Sequence, residues 1–378
     1  MKHKLLFINE ILKRIKFDNT YRKLKFGSKI GTHININNQK LLNLCSNDYL
    51  SISNYAHEFL GQIECCSRSI ISDQIFKSLE TKLAKHKMQE SSLIYPTGYM
   101  ANLGTIPTII QNKNDIILSD EFNHASIIDS CKLTNKKIII YKHNNMEDLE
   151  SKTKSKKNRI FIITEGVFSM DGDFANLKRI VEIAEKKNAV IILDDAHGDF
   201  VLGEDGKGTA NYFQMDKKID VYISSLSKGL GSFGGYISSQ HNLIKLCINR
   251  SKSFIYTSAL PSQLVQFTLK KFNSNREKQR KKLWYNVNKL KQGLEKSGYM
   301  IKSNSHIIPI IIGSEKTTIL FSKYLLKNGI YAMPIRYPTV SKNKARIRIS
   351  VTAGLSDQQI EKTISIFDRA ISKFQLDQ

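Results

Sequence analysis

Two kinds of apolar pattern alternate along the chain. Short apolar runs at 92–95, 115–118, 137–141, 159–164, 190–194 and 221–225 read as strands, and several have no polar interruption, as strands buried on both faces require. Between them the apolar spacing turns helical. Segment 74–88 puts Ile75, Leu79 and Leu83 on one face, and segment 176–187 does the same with Leu177, Ile180, Ile183 and Ala184. Strands alternating with helices predict an α/β fold with a mostly parallel sheet between helices. Such sheets take ligands beyond the carboxyl ends of their strands.

Three zones follow from the same pattern. Residues 1–45 combine a helical start with a polar, hairpin-like stretch at 34–40. Residues 46–275 hold the alternating strands and helices and form the large domain. Residues 276–378 open on a charged helical stretch at 276–296 and continue as strand 307–312, helix 317–327, strand 346–351 and helix 357–373. That is a small C-terminal α/β domain.

Composition changes the picture only at the margins. The net charge of +24 raises the question of nucleic acid. The lysines, however, are spread along the whole chain, and no helix-turn-helix, zinc-finger or aromatic RNA-binding signature accompanies runs such as 152–157 and 276–282. A solvated basic surface is the simpler reading, with a positive field that helps gather polyanionic substrates. The five cysteines are an odd number without CxxC spacing, which points to a reducing compartment and against a disulfide framework or a zinc site. No run approaches the ~20 apolar residues of a membrane span. The apolar start Leu5-Leu6-Phe7-Ile8 is cut short by Asn9 and Glu10, so a cytoplasmic protein is expected.

Candidate chemistry sits where the buried runs end. Val190-Ile191-Ile192-Leu193 leads into Asp194-Asp195-Ala196-His197-Gly198, and Val221-Tyr222-Ile223 leads into Ser224-Ser225-Leu226-Ser227-Lys228-Gly229. A lysine partly withdrawn from water loses its proton more easily and can form an imine with an aldehyde. Hydroxyls beside it can donate to a phosphate, and glycines allow close backbone approach. A carboxylate on the neighbouring strand can keep a pyridine nitrogen protonated, which makes the ring an electron sink. These are the needs of pyridoxal 5'-phosphate.

The sequence resembles the α-oxoamine synthases, which are fold-type I pyridoxal-phosphate enzymes. The resemblance runs from about residue 20 to the C-terminus through ordered blocks. They are Ser46-Asn47-Asp48-Tyr49-Leu50, Thr97-Gly98-Tyr99-Met100-Ala101-Asn102, Asn123-His124-Ala125-Ser126, Thr164-Glu165-Gly166-Val167-Phe168-Ser169-Met170-Asp171-Gly172-Asp173, the Asp194–Gly198 segment, Ser258-Ala259-Leu260-Pro261 and Arg346-Ile347-Arg348.

The resemblance implies a large domain with a seven-stranded sheet. It also implies the condensation of an amino acid with an acyl-CoA, with loss of CO2. It makes Lys228 the Schiff-base lysine and proton-transfer base, and stacks His124 on the cofactor ring. Asp194 is implied to pair with the pyridine nitrogen, and His197 and Ser169 to lie at the phenolic oxygen. Gly98, Tyr99 and Ser225 fall at the phosphate. Thr257 and Ser258 fall in a segment that reaches the phosphate of a neighbouring subunit, which implies a homodimer with shared sites. Arg348 is implied to grip the amino-acid carboxylate, and Arg22, Asn47, Arg336 and Thr339 to contact substrate, as His124 does. No metal, nucleic acid or membrane is implied.

Two departures stand out. Ile63-Glu64-Cys65-Cys66-Ser67-Arg68 replaces a glycine-rich stretch of the family, and Phe76 stands where a histidine usually precedes Leu79-Glu80. Both bear on the acyl end of the pocket. Sister activities that join glycine or serine to other acyl-CoAs share the same machinery. A nucleic-acid-binding protein on an inactive scaffold is the reading from another class, and an intact Lys228, Asp194, His197 and His124 argues against it.

Overall fold

In a computed structural model, the described residues are 13–14, 16–18, 27–36, 38–51, 67–70, 72–153 and 159–376. They divide into two units. One comprises Asn47–Ser169 and Asp173–Arg280, and the other Met1–Ser46, Met170–Gly172 and Lys281–Gln378.

The second of these opens with three antiparallel strands, β1 (Gly27–Ile30), β2 (His33–Ile36) and β3 (Gln39–Asn43). The chain then enters the larger unit and builds one seven-stranded sheet. Its strands are β4 (Ser91–Tyr95), β5 (Ile116–Asp120), β6 (Lys137–Tyr141), β7 (Ile160–Glu165), β8 (Val190–Asp194), β9 (Val221–Ser225) and β10 (Gly235–Ser239). Their spatial order is β4-β10-β9-β8-β7-β5-β6. Strands β5 to β9 pair in parallel, whereas β10 runs antiparallel to both β9 and β4.

Burial explains the strand sequences. Every residue of β5, β7, β9 and β10 is buried. Alternate residues feed two separate cores. Ile162, Leu193 and Tyr222 face one, and Phe161, Ile163, Ile192 and Ile223 face the other. The outermost strand β6 is solvated, with Lys137 exposed at its start, as a protected sheet edge requires. Helices Gln74–His86, Gly98–Ile109, Ala125–Leu133 and Leu177–Lys187 cover the faces. Asn176 caps the start of the last of these by accepting from Arg179 N–H, and Asn188 closes it in a left-handed conformation.

Helix Glu277–Lys296 carries the chain from one unit into the other. There β11 (Ile307–Gly313), β12 (Ile330–Tyr331), β13 (Pro334–Ile335) and β14 (Ala345–Ser350) follow. β12 adds in parallel to β3, and β11-β14-β13 form a second, antiparallel sheet. Among the described residues no helix is long and apolar enough to cross a membrane.

Candidate active site

The parallel register sets three side chains in a row at the carboxyl edge of the larger sheet. Glu165 ends β7, Asp194 ends β8 directly opposite it, and Ser225 ends β9. Asp194 is buried. Its Oδ1 accepts the Ala196 N–H at 3.1 Å, and its Oδ2 accepts Asn102 Nδ2–H at 2.7 Å. A carboxylate held on both oxygens is fixed in direction and can face a cationic ring nitrogen.

Lys228 lies on the loop after β9 and is half-buried. Its Nζ is 2.8 Å from His197 Nε2, His197 Nδ1 is 2.7 Å from the Tyr49 hydroxyl, and that hydroxyl donates to Asn47 Oδ1 at 3.0 Å. One proton arrangement satisfies the whole chain. Tyr49 donates to Asn47, His197 Nδ1–H donates to the Tyr49 oxygen, and Nε2 accepts from Lys228. Tyr49 is fully buried, so its contact with His197 at the middle of the line is sheltered from water, while Asn47 and Lys228 at the two ends are half-buried.

His124 caps the helix that follows it. Its Nδ1 accepts the Ser126 N–H at 3.2 Å and lies 2.8 Å from Ser126 Oγ. The residue is exposed overall, yet protein packed around the ring desolvates it and lowers its pKa. The charge of Lys228 acts in the same direction and that of Asp194 opposes it. Beside it Glu165 is fully buried and accepts from the backbone N–H groups of His124 and Ser169. Burial first, and then the charge of Asp194, push its carboxyl up to about 8, with Lys228 opposing. Among the described residues its Oε1 has no hydrogen-bond partner, and neither does Asn102 Oδ1.

Gly98 is the first residue of helix Gly98–Ile109. First-turn amides have no acceptor within their own helix. Thr97 Oγ1 takes that of Met100 at 3.1 Å. Alongside, Ser225 Oγ and Ser227 Oγ are 2.8 Å apart, and a Cβ added at Gly98 would stand 3.3 Å from Ser225 Cβ. A Cβ on Gly235 would lie 2.4 Å from Gly98 N, so β10 passes this turn only as glycine. Helix amides with two hydroxyls beside them form a phosphate cradle. The donor set therefore fits pyridoxal phosphate. It offers an imine-forming amine at Lys228, an acid partner for the ring nitrogen at Asp194, and anion donors at Gly98, Tyr99 and Ser225.

The remaining candidates divide by location. Ser169 is buried near Glu165, Thr257 is half-buried, and Ser258 is exposed next to Tyr256, which is 81% exposed. Arg336, Thr339 and Arg348 belong to the other unit. There Arg348 lies on β14 opposite Pro309, and Thr339 N–H donates to Arg336 O at 2.9 Å across a cis Tyr337–Pro338 bond. Arg22, Cys65 and Cys66 lie outside the described residues. Phe76 is fully buried, with the Arg68 guanidinium 4.1 Å above its ring and paired to Glu80 at 2.6 Å. Tyr49, Asn102 and Glu165 stand inside the quoted blocks, but nothing local in the sequence singles them out as site residues. Only tertiary structure brings them to Asp194 and His197.

Fold and site together define a pyridoxal-phosphate-dependent enzyme of the acyltransferase type. The chain belongs to the class I and II aminotransferase family, whose model matches residues 39–367, and within it to the 8-amino-7-oxononanoate synthases. It is 40% identical to the 8-amino-7-oxononanoate synthase of Thermoanaerobacter pseudethanolicus, with 97% of each chain covered. It is 35% identical to 8-amino-7-oxononanoate synthase 1 of Bacillus subtilis, with 98% of each covered. Among solved structures, Sphingomonas wittichii serine palmitoyltransferase superposes with a TM-score of 0.91 at 26% identity, covering 98% of this chain and 99% of that one. The 8-amino-7-oxononanoate synthase of Francisella tularensis gives 0.74 at 26% identity, covering 89% and 99%.

Proposed function

We propose that the protein joins L-alanine to pimeloyl-CoA, or to a pimeloyl-carrier protein, and releases 8-amino-7-oxononanoate, the carrier thiol and CO2 in biotin biosynthesis. The observation that carries this reading is the hydrogen-bonded line Asn47–Tyr49–His197–Lys228 beside Asp194, in a chain 35–40% identical to curated synthases of that name.

Pyridoxal phosphate supplies the electron sink that stabilises negative charge at the amino-acid α-carbon. The chain's own residues do the rest. Lys228 would anchor the cofactor, and its amine would take the α-proton and later return one to the same carbon. His197, 2.8 Å from Lys228 Nζ, would hold that amine in place and, with Ser169, would lie at the cofactor's phenolic oxygen. Asp194, held by Asn102 and the Ala196 amide, keeps the ring nitrogen protonated. His124 covers the ring and fixes its plane. Gly98, Tyr99 and Ser225 hold the phosphate. Arg348 grips the substrate carboxylate with a two-pronged guanidinium, and Arg22, Asn47, Arg336 and Thr339 complete the substrate contacts.

The Tyr256-Thr257-Ser258 segment, with Tyr256 and Ser258 exposed and Thr257 half-buried, supports a homodimer in which each subunit lends hydroxyls to its neighbour's phosphate site. A reducing, cytoplasmic setting fits an odd number of cysteines without CxxC spacing.

The deciding experiment measures thiol release for alanine, glycine and serine, each paired with pimeloyl-, acetyl-, succinyl- and palmitoyl-CoA. Alanine with pimeloyl-CoA is expected to give the highest kcat/KM. Preference for serine with palmitoyl-CoA, the pair suggested by the serine palmitoyltransferase likeness, would replace the substrate assignment and leave the chemistry intact.

A further inference from the structure

Beneath the turn that carries Asp194 and His197 lies a buried ion cluster that touches none of the reacting groups. Lys87 follows helix Gln74–His86. Its Nζ lies 3.0 Å from Asp195 Oδ2 and 2.8 Å from Asp199 Oδ1, and donates to Lys207 O at 2.8 Å. The Lys87 side chain is 1% exposed, and those of both aspartates are fully buried. Asp199 also accepts from His86 Nε2 at 3.0 Å, from Ser224 Oγ at 2.7 Å and from the Tyr236 hydroxyl. Asp195 accepts from Thr209 N–H at 3.0 Å and from Thr209 Oγ1 at 2.6 Å.

Two features make this more than packing. First, the bridged aspartates bracket His197 in sequence, and the turn between them is closed by Gly198 N–H and Asp199 N–H, both donating to Asp195 O at 3.1 and 2.8 Å. Fixing Asp195 and Asp199 therefore fixes His197. Second, a buried lysine between two carboxylates is a poor way to gain stability, because each charge must be stripped of water. Such groups hold their place only when partners satisfy them, and here every partner is in position. Burial and the neighbouring Asp199 push the Asp195 carboxyl up, with Lys87 opposing. Burial likewise raises the Asp199 carboxyl, but Lys87 and His86 outweigh it and hold Asp199 low. The space is closed, since a Cβ on Gly208 would fall 1.9 Å from Asp195 Oδ2 and 2.6 Å from Lys87 Nζ.

We propose that Lys87 is a positioning residue for the reaction: by bridging Asp195 and Asp199 it fixes the turn between them, and so the direction from which His197 meets Lys228. The proposal rests on the reading of Lys228 and His197 as cofactor-site groups. The charged and titratable groups around the turn are Lys87 and His86 from the helix side, Asp194, Asp195 and Asp199 on the turn, Glu165 from β7, Tyr222 from β9, Tyr236 from β10, Arg276 near Asp199, and Tyr49 and Lys228 on either side of His197.

The test uses the holoenzyme and the double variant Lys87→Met/Asp195→Asn. That variant removes one positive and one negative charge, so it keeps the cluster's net charge while losing the bridge. Its kcat is expected to fall at least about tenfold with KM for both substrates within about twofold of the parent. The pH midpoint of the bound cofactor's visible band is expected to move by more than about half a unit. A folded, cofactor-loaded variant with the parent's kcat and the parent's midpoint would overturn the proposal. If the double variant does not fold, Thr209→Val and Tyr236→Phe take over the test, each removing one anchor of a bridged carboxylate. Smaller shifts of kcat and midpoint in the same direction in both support the proposal, and parental values in both overturn it. The visible band reads the turn without turnover, so failure of the substrate assignment leaves this outcome legible.

Discussion

Asn102 reaches from the helix that begins at Gly98 and donates its Nδ2–H to Asp194 Oδ2 at 2.7 Å. The same amide group donates to Ser126 Oγ at 3.0 Å, next to His124. One side chain thus ties together the helix that begins at Gly98, the Asp194 carboxylate and the Ser126 hydroxyl that His124 meets at its cap.

Asn102→Leu keeps the volume and removes the donor. A hydrogen bond to a charged group contributes about 2 kcal/mol, so the cofactor dissociation constant is expected to rise roughly thirtyfold. Titration of apoprotein with pyridoxal phosphate, followed by visible absorption, reads this directly.

Lys228→Ala removes the amine proposed to form the imine with the cofactor. The wild-type protein is expected to be yellow and to become irreversibly labelled on borohydride reduction. The variant is expected to release its cofactor on denaturation after the same treatment, as mass spectrometry of the intact chain would show. A colourless wild-type protein that takes up no cofactor would sink the assignment.

His143 offers a stability test away from the chemistry. Its Nδ1 and Nε2 each lie 2.8 Å from a carboxylate, that of Asp120 and that of Asp173. Burial disfavours the charged ring, but the bonds to Asp120 and Asp173 outweigh it and raise the pKa from 6.5 to about 10. A raised histidine pKa contributes stability that is fully present below 6.5 and is lost as pH rises through about 10. His143→Gln is therefore expected to flatten the fall in urea midpoint between neutral pH and pH 10.

Glu165 acts in the same direction but at lower pH. Its carboxyl is pushed up to about 8, so folding favours the protonated form. Its contribution is present below the ordinary 4.5 and is lost as pH rises toward 8. Glu165→Gln mimics the protonated form at every pH. The variant is expected to gain stability relative to wild-type apoprotein as pH rises from 5 to 8, measured by urea unfolding.

Much of the fold is legible in the sequence because buried parallel strands leave unbroken apolar runs. The runs at 137–141, 190–194 and 221–225 coincide with β6, β8 and β9, and the other runs differ from their strands by one or two residues. Strand β10 escapes, since Gly235-Tyr236-Ile237-Ser238-Ser239 has a glycine and two serines where an apolar run would be looked for. Those serines are buried nonetheless, and Ser238 Oγ pairs with Ser92 Oγ on β4. Strands β12 and β13 are two residues each, too short for any periodicity. Lys228, Asp194 and His197 were visible as residues at strand ends. Tyr49 and Lys87 were not, because their roles depend on partners far away in the chain. Phe76 reads in the sequence as a departure near the acyl pocket, and in the fold it is a core residue under Arg68.

The antiparallel strand β10 has a consequence for biosynthesis. Among the described residues β4 has no other sheet partner, and its Ser92 meets Ser238 across 146 positions of chain. On the ribosome, β4 therefore emerges long before the strand that covers it, and the larger unit cannot close until residue 239 has left the exit tunnel. The other unit waits longer still, since β3 pairs with β12. A nascent chain released before that point presents an apolar, unpaired edge to the cell.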